Sequence, residues 1–350
     1  MMTTAQVGPA DAASAAAAQA AMDQKTKPRG SLGRLESIAS RVAGIRHVSD
    51  PKPAPSVVIV AAADHGIAAE RVSAYPQEVT AQMVRNFATE GAAVCVLARR
   101  AGARLVVVDA GIVSELGDFP GILSRRIGPG TANATHGPAM SMDQAFGALA
   151  VGIDLVQELA ADGVGLVGLG EMGIANTTSA SALVAALLSV EPEMVCGRGT
   201  GVDDEGLARK VDAVRRALAA NADAVGLGEP IGILAALGGF EIGVLSGVML
   251  GAAGARIPVL LDGFITAAAA LVASRISPLC IESMLASHRS TEPGHAVVLE
   301  ALGLEPILDL GMRLGEGSGA ALAIPIVDAS LGLLEEMATF HEANVTDSGA

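Results

Sequence analysis

One glutamate in this chain stands between glycines, in Leu314-Gly315-Glu316-Gly317-Ser318-Gly319. Glycine on both sides strips bulk from around a carboxylate, and a long apolar stretch follows. A carboxylate at such a partly buried entry is disfavoured in its charged form, so its pKa rises towards the range where it can take a proton near neutral pH. A second glycine-rich segment, Gly168-Leu-Gly-Glu171-Met172-Gly173, follows a β-branched run and precedes Ala175-Asn176-Thr177-Thr178. It is a formal GxGxxG, whose glycines let backbone approach a phosphate while the next helix offers free N–H groups. Phosphate or ribose binding is the expectation. A dinucleotide fingerprint is the weaker alternative, because polar residues follow where such a helix turns apolar. A third segment, Gly197-Arg-Gly199-Thr200-Gly201-Val-Asp203-Asp204, reads as a flexible loop opening an amphipathic helix, with Asp203 or Asp204 as its N-cap. Lys210 falls on the polar face of that helix, where it either meets solvent or contacts an anion.

Metal chemistry has little support. His288 and His295 are seven apart with Glu292 between them, and no HExxH or three-histidine pattern occurs. Asp64-His65 reads as a hydrogen-bonded turn rather than a metal pair. Neither GxSxG nor GxxxxGK[ST] is present, which removes the common hydrolase and P-loop readings.

These residues need elements to position them. Short apolar runs at Val57–Ala62, Arg104–Val108, Val164–Leu169, Pro258–Leu261 and Leu279–Ile281 alternate with helical patterns such as 79–101 and 205–221. Apolar strands without period-two alternation, separated by helices, predict a parallel sheet covered on both faces, an α/β fold. Ligands of open α/β sheets bind beyond the carboxyl ends of the strands. The residues there are Ala63-Asp64-His65-Gly66, Asp109-Ala110-Gly111, the 168–178 segment, Asp262-Gly263-Phe264 and Ser287-His288-Arg289-Ser290 through His295, so polar side chains and glycines converge on one rim. Helical patterns at both ends, over 12–22, 32–45 and beyond about 296, predict a small helical domain from residues 1–50 and 300–350 beside a larger α/β nucleotide-binding domain at 51–299.

Composition narrows the function further. The formal charge is −14, no basic stripe is visible, and six Phe, one Tyr and no Trp leave few stacking platforms, so no nucleic-acid partner and no anionic membrane surface is expected. The longest uncharged run, Met172 to Val190, contains Asn176, two Thr and three Ser and does not read as a membrane span. Three scattered cysteines, Cys95, Cys196 and Cys280, argue against a disulfide framework. With no basic residue before Lys25, there is no secretory n-region. A cytoplasmic protein is the expectation.

Taken together, eight ordered segments resemble nicotinate-nucleotide–dimethylbenzimidazole phosphoribosyltransferase, the family that makes the lower-ligand nucleotide of cobalamin. They are KPRGSLGRLE (27–36), ADHGIAAERVSAYPQEVTAQMV (63–84), GEMGIANTTSASAL (170–183), GRGTGVDDEGLARK (197–210), GGFEIGVLSG (238–247), LLDGFI (260–265), SHRSTEPGH (287–295) and DLGMRLGEGSGAALAIPIVDAS (309–330). The likeness runs from about residue 25 to 340. Ala175 stands where Gly would also be accepted and Ser318 where Thr would. The Ala-rich first 24 or so residues match nothing.

The resemblance implies a Rossmann-like parallel sheet with a small helical domain from both chain ends, a homodimer, and no metal or separate cofactor. It implies transfer of the 5-phosphoribosyl group of nicotinate mononucleotide to 5,6-dimethylbenzimidazole, giving α-ribazole 5′-phosphate and nicotinate with inversion at C1′. The family's catalytic glutamate falls on Glu316, the base that takes the benzimidazole proton. Glu171 is the candidate for stabilising an oxocarbenium-like ribosyl group or contacting ribose. Ser73, Tyr75 and Gln82 would shape the benzimidazole pocket, with Met172 and Leu314 as apolar walls. Gly173, Asn176, Thr177 and Thr178, with Gly199, Thr200 and Gly201, would form nucleotide-binding loops, joined by Asp262 and Gly263. Lys210, His288, Ser290 and Gly294 would hold the phosphate or carboxylate. Two rivals predict different behaviour: an NAD-dependent oxidoreductase built on the GLGEMG turn, and a nucleotide sensor without turnover.

Overall fold

The computed structural model describes residues 7–117 and 119–346. The outermost parts of the ranges expected for the small helical domain, 1–6 and 347–350, lie outside the described residues. Six strands form one sheet: β1 (Ser56–Ala63), β2 (Arg104–Gly111), β3 (Ile122–Ser124), β4 (Leu166–Met172), β5 (Val259–Leu261) and β6 (Met284–Ala286). Their order is β3-β2-β1-β4-β5-β6, and every adjacent pair is parallel. The parallel α/β sheet agrees with the sequence reading. β1 and β4 are buried along their whole length, as near-continuous apolar runs in a two-sided sheet must be.

Successive side chains of a strand point to opposite faces, and β1 divides accordingly. Val57, Ile59, Ala61 and Ala63 join the core made with helices Met142–Ala161, Asn176–Leu188, Phe240–Ala255 and Phe264–Ile276. Val58, Val60 and Ala62 join the other core, made with Ala12–Asp23, Arg34–Arg46, Val79–Ala88, Ala93–Arg100 and Ser318–Glu336. Helices from both chain ends therefore cover the same face, and a backbone bridge joins Lys25 to Thr339. One described helix, Ser318–Glu336, is long and apolar enough to cross a membrane by length and composition, and just over half of it is buried against the sheet and its neighbours.

Three details differ from the sequence reading. The run Leu279–Ile281 lies in a 3₁₀ helix, Pro278–Ser283, and the edge strand follows it at Met284–Ala286; Pro278 presets the tight helical turn and has no N–H for a ladder. The three-residue β3 escaped notice. The pattern over 79–101 is two helices, separated near Gly91.

In this strand order the chain leaves β1 in opposite directions, and the crevice between the carboxyl ends of β1 and β4 is where such sheets bind ligands. β1 ends at Ala63-Asp64-His65 and β4 at Met172-Gly173.

Candidate active site

Glu316 enters the site from an unusual backbone. Gly315, Glu316 and Gly317 have φ of +82°, +64° and +85°, three successive residues in the left-handed region. Glycine occupies such positions freely, whereas a residue with a Cβ costs about 1–3 kcal/mol. The flanking glycines, read from sequence as clearing bulk, are thus also what lets the turn exist. Glu316 is buried, and that burial, followed by the nearby Asp262 charge, pushes its carboxyl up to about 7.

The turn rests on β4. A Cβ on Gly170 would lie 2.5 Å from both the carbonyl carbon and oxygen of Glu316, and one on Gly168 would press on Ala320. Gly168 and Gly170 lie inside β4 and make room for the start of the Ser318–Glu336 helix. This corrects the reading of GLGEMG as a turn that follows the strand: only Gly173 lies beyond it, and it packs against the Ala63 carbonyl and the His65 ring.

Glu171 faces the same turn, its Oε1 abutting the Cα of Gly315. It is buried and accepts a hydrogen bond from the Asn176 side-chain amide. Burial raises its pKa to about 8, aided by the charges of Asp262, Glu241 and Glu316 and opposed by Asn176. Ala175, just before Asn176, has φ +75°, so alanine stands where glycine would be unstrained.

Asp262, just after β5, turns its carboxylate to the backbone of the turn. Its oxygens accept from the backbone N–H groups of Gly317 (3.0 Å), Gly319 (2.6 Å) and Ala320 (3.2 Å). His288 lies beneath the same helix start, its ring against the Cα of Gly319 and its Nε2 3.6 Å from Asp262 Oδ1. His288 is 1% exposed, enclosed by this packing. Gly294 is likewise interior: a Cβ there would meet the Phe264 ring and the Val195 carbonyl. The Ser290 backbone N–H donates to His295 Nδ1, and its hydroxyl accepts from the Glu292 N–H. Gly263 lies near His288 and Ser290.

Lys210 overturns the polar-face expectation. It is 1% exposed, because the 197–201 loop folds over it. Its Nζ donates to Thr177 Oγ1 (2.8 Å) and the Gly197 carbonyl (3.0 Å), and burial lowers its pKa. Glu292 Oε1 accepts from the Gly199 N–H at 2.9 Å, and its Oε2 is buried without a partner among the described residues. Lys210 and Glu292 therefore anchor the 197–201 loop from two sides, to the Asn176–Leu188 helix and to the 287–295 segment. Thr178 is fully buried and its hydroxyl has no partner among the described residues. Asp203, one of the two N-cap candidates, caps the helix by accepting from Gly206 N–H at 2.8 Å.

Ser73 Oγ lies 3.1 Å from Thr200 Oγ1, which also accepts from the Ala74 N–H at 3.0 Å. The 73–75 and 197–201 loops thus meet directly. Tyr75, Gln82 and Leu314 are exposed, whereas Met172 is buried. An open cleft of about 420 Å³ is lined by Gly197, Arg198, Gly201, Thr291, Glu292 and Arg313.

Arg198, Arg313 and Glu292 were not singled out as site residues from sequence. Neither was Glu241, whose Oε1 lies 2.7 Å from His65 Nε2 while Ser179 Oγ meets His65 Nδ1 at 2.9 Å. The one available signal for Glu241 is that it is the only charged residue in the apolar helix Phe240–Ala255. His65 is thereby a hydrogen-bonded residue, as expected, and no cluster of three metal-ligating side chains occurs among the described residues.

With this geometry in view, comparison with known proteins is decisive. A phosphoribosyltransferase family model matches residues 7–345. The chain belongs to this phosphoribosyltransferase family. It is 52% identical over 342 residues to the nicotinate-nucleotide–dimethylbenzimidazole phosphoribosyltransferase of Azotobacter vinelandii, covering 97% of each chain. It is 50% identical over 345 residues to that of Chloroflexus aurantiacus, covering 98% of this chain and 97% of the other. The crystal structure of the Thermus thermophilus enzyme of the same description superposes with a TM-score of 0.90 at 46% identity, over 97% of this chain and all of the other. Membership in the family, with the first five residues of GLGEMG lying inside β4, leaves the oxidoreductase reading without support.

Proposed function

We propose that this phosphoribosyltransferase moves the 5-phosphoribosyl group of nicotinate mononucleotide onto 5,6-dimethylbenzimidazole, with inversion at C1′ and Glu316 as the general base. One nitrogen of the benzimidazole attacks C1′. The bond from C1′ to the pyridinium nitrogen breaks, and nicotinate leaves with that electron pair. The proton on the other benzimidazole nitrogen passes to Glu316. The leaving group needs no proton, so one base suffices, worth about 10²–10⁴-fold, and holding both substrates in line supplies the rest.

The observation that carries this reading is Glu316 itself: a buried carboxyl raised to about 7, held in a left-handed turn beside the β1/β4 crevice. Glu171, raised to about 8 chiefly by burial, is also disfavoured in its charged form. Glu171 then acts as a protonated donor to a ribose oxygen rather than as a charged stabiliser. The nucleotide lies on the 173–178 and 197–201 loops and the adjoining cleft, where Arg198 and Arg313 supply local positive charge to a chain of −14. Ser73, Tyr75, Gln82 and Leu314 bound the base.

In the same proposal, residues 1–50 and 300–350 act as one unit and 51–299 as another, and the enzyme is a cytoplasmic homodimer. The three cysteines, all buried and free, fit a reducing compartment; sedimentation mass tests the dimer. The activity is tested by nicotinate release from nicotinate mononucleotide with and without 5,6-dimethylbenzimidazole. Base-dependent nicotinate with an equimolar new ribotide is the expected result. A folded protein that releases none overturns the assignment.

A further inference from the structure

We propose that Asp262 is a positioning residue for Glu316: its carboxylate fastens the Gly315–Gly317 turn and so sets where the Glu316 side chain meets the incoming base. This rests on the reading of Glu316 as the base. The first amides of a helix have no partner within it, and a side chain on the N-cap residue commonly supplies one. Here the N-cap residue is Gly317, which has no side chain. The acceptor comes instead from the end of β5, 55 residues earlier in sequence, and takes three amides, those of Gly317, Gly319 and Ala320. One of them belongs to the left-handed turn itself, in the residue following Glu316. An ordinary cap would fasten the helix to its own loop. This one fastens the turn to the sheet.

The clamp has two further jaws. Gly170 of β4 lies beneath the Glu316–Gly317 peptide, and the His288 ring lies beneath Gly319. Strained backbone persists where its surroundings over-determine it. Asp262 is the only one of these three that grips by hydrogen bonds, so it is the one whose replacement releases the turn while leaving the packing beneath it in place; burial raises its own carboxyl, opposed by His288 and by the three amides. Its charge also acts on Glu316, whose pKa it raises after burial does. The other titratable groups around the pair are Glu171 on β4, His288 after β6 and Cys95 on Ala93–Arg100, with Glu241 on Phe240–Ala255 acting on Glu171.

The test compares Asp262→Asn, Glu316→Gln and the double variant, with Ser246→Ala as a destabilised control whose buried hydroxyl is bonded to Ile242 and Ala269 carbonyls. Asn keeps one acceptor oxygen but turns an NH₂ towards backbone donors. Expected for Asp262→Asn is a kcat at least tenfold down, KM for nicotinate mononucleotide within threefold, and the acidic limb of kcat/KM moved to lower pH. The double variant is expected to turn over no more slowly than Glu316→Gln, since positioning acts only through the base. Losses that multiply in the double variant, or an Asp262→Asn kcat equal to that of the Ser246→Ala control, overturn the inference. If Asp262→Asn does not fold, Asp262→Glu is read instead. It keeps the charge but displaces the acceptors, so kcat falls at least threefold with the acidic limb in place; wild-type kcat overturns the inference. Wild-type turnover by Glu316→Gln removes the base reading and this inference with it, whereas an impaired Glu316→Gln beside a normal Asp262→Asn removes this inference alone.

Discussion

Gly170 lies directly beneath Glu316: a side chain on Gly170 would begin 2.5 Å from both the carbonyl carbon and oxygen of Glu316. Those are backbone atoms of a strained turn and cannot swing aside like the end of a flexible side chain. Gly170→Ala is therefore expected to cost about 1–3 kcal/mol by overpacking and to lower kcat further by lifting the base. Gly147, inside the helix Met142–Ala161, has open space around it. Gly147→Ala should stabilise by roughly 0.5–1 kcal/mol, because glycine is a poor helix former. Denaturant midpoints and kcat for the pair check both. A Gly170→Ala protein equal to wild type would refute the packing described for the turn.

Glu316→Gln keeps the size of the side chain but cannot accept the proton. Turnover should fall at least tenfold, while the affinity for nicotinate mononucleotide, measured by calorimetry, changes by less than about threefold. The ionised form is the active one. Wild-type kcat/KM should therefore rise with pH through an acidic limb near 7, and that limb should be missing from the variant. An unchanged limb in Glu316→Gln would assign it to another group.

How much of this could be read beforehand varies with range. Val57–Ala62 and Val164–Leu169 were legible as strands because they are apolar on both faces, and their order in chain with helices gave the parallel sheet. β3 was not, since three half-buried residues at an edge carry no period. Glu316 was legible because its glycines are local to it. The burial of Lys210 is not legible, because helical periodicity locates a residue on its own helix and says nothing of a loop that folds over it. Asp262 and Glu171 were found, yet the role of Asp262 depends on amides 55 residues away. Glu241 and Glu292 meet their partners only through tertiary contacts, and spacing along the chain does not encode those.

Lys210 holds two elements together through one ammonium group. Lys210→Met keeps the apolar stem but strands Thr177 Oγ1 and the Gly197 carbonyl, and removes a cation that interacts with Glu292. Hydrogen bonds to charged groups contribute about 1.5–3 kcal/mol each. The 197–201 loop should loosen, visible as faster proteolysis there, and nicotinate mononucleotide should bind at least tenfold more weakly. Unaltered affinity would mean that this loop does not hold the nucleotide.

Ala175 has φ +75° in a buried turn, where glycine carries no Cβ penalty. Ala175→Gly relieves the strain in the folded state but gives the unfolded chain more freedom, worth about 0.4–1 kcal/mol in the opposite sense. Because a strained left-handed residue costs about 1–3 kcal/mol, relief should win, and the denaturant midpoint should rise. A lower midpoint would show that the turn is not strained.

Glu171 makes stability depend on pH. Its carboxyl rises from 4.5 to about 8 on folding, so between those values the folded protein keeps a proton that the unfolded chain releases. Stability from this group is fully present below about pH 4.5 and is lost as pH climbs through 8, at up to about 1.4 kcal/mol per pH unit. Glu316, raised to about 7, adds a slope of the same sign that ends earlier. Glu171→Gln is neutral at every pH and can still accept the Asn176 amide through its side-chain oxygen. It should therefore unfold later than wild type at pH 8.5, with the gap closing towards pH 5. Chemical denaturation at several pH values decides it: parallel curves for the two proteins would mean that Glu171 is not protonated in the folded state, and the donor role assigned to it on the ribose would go with that.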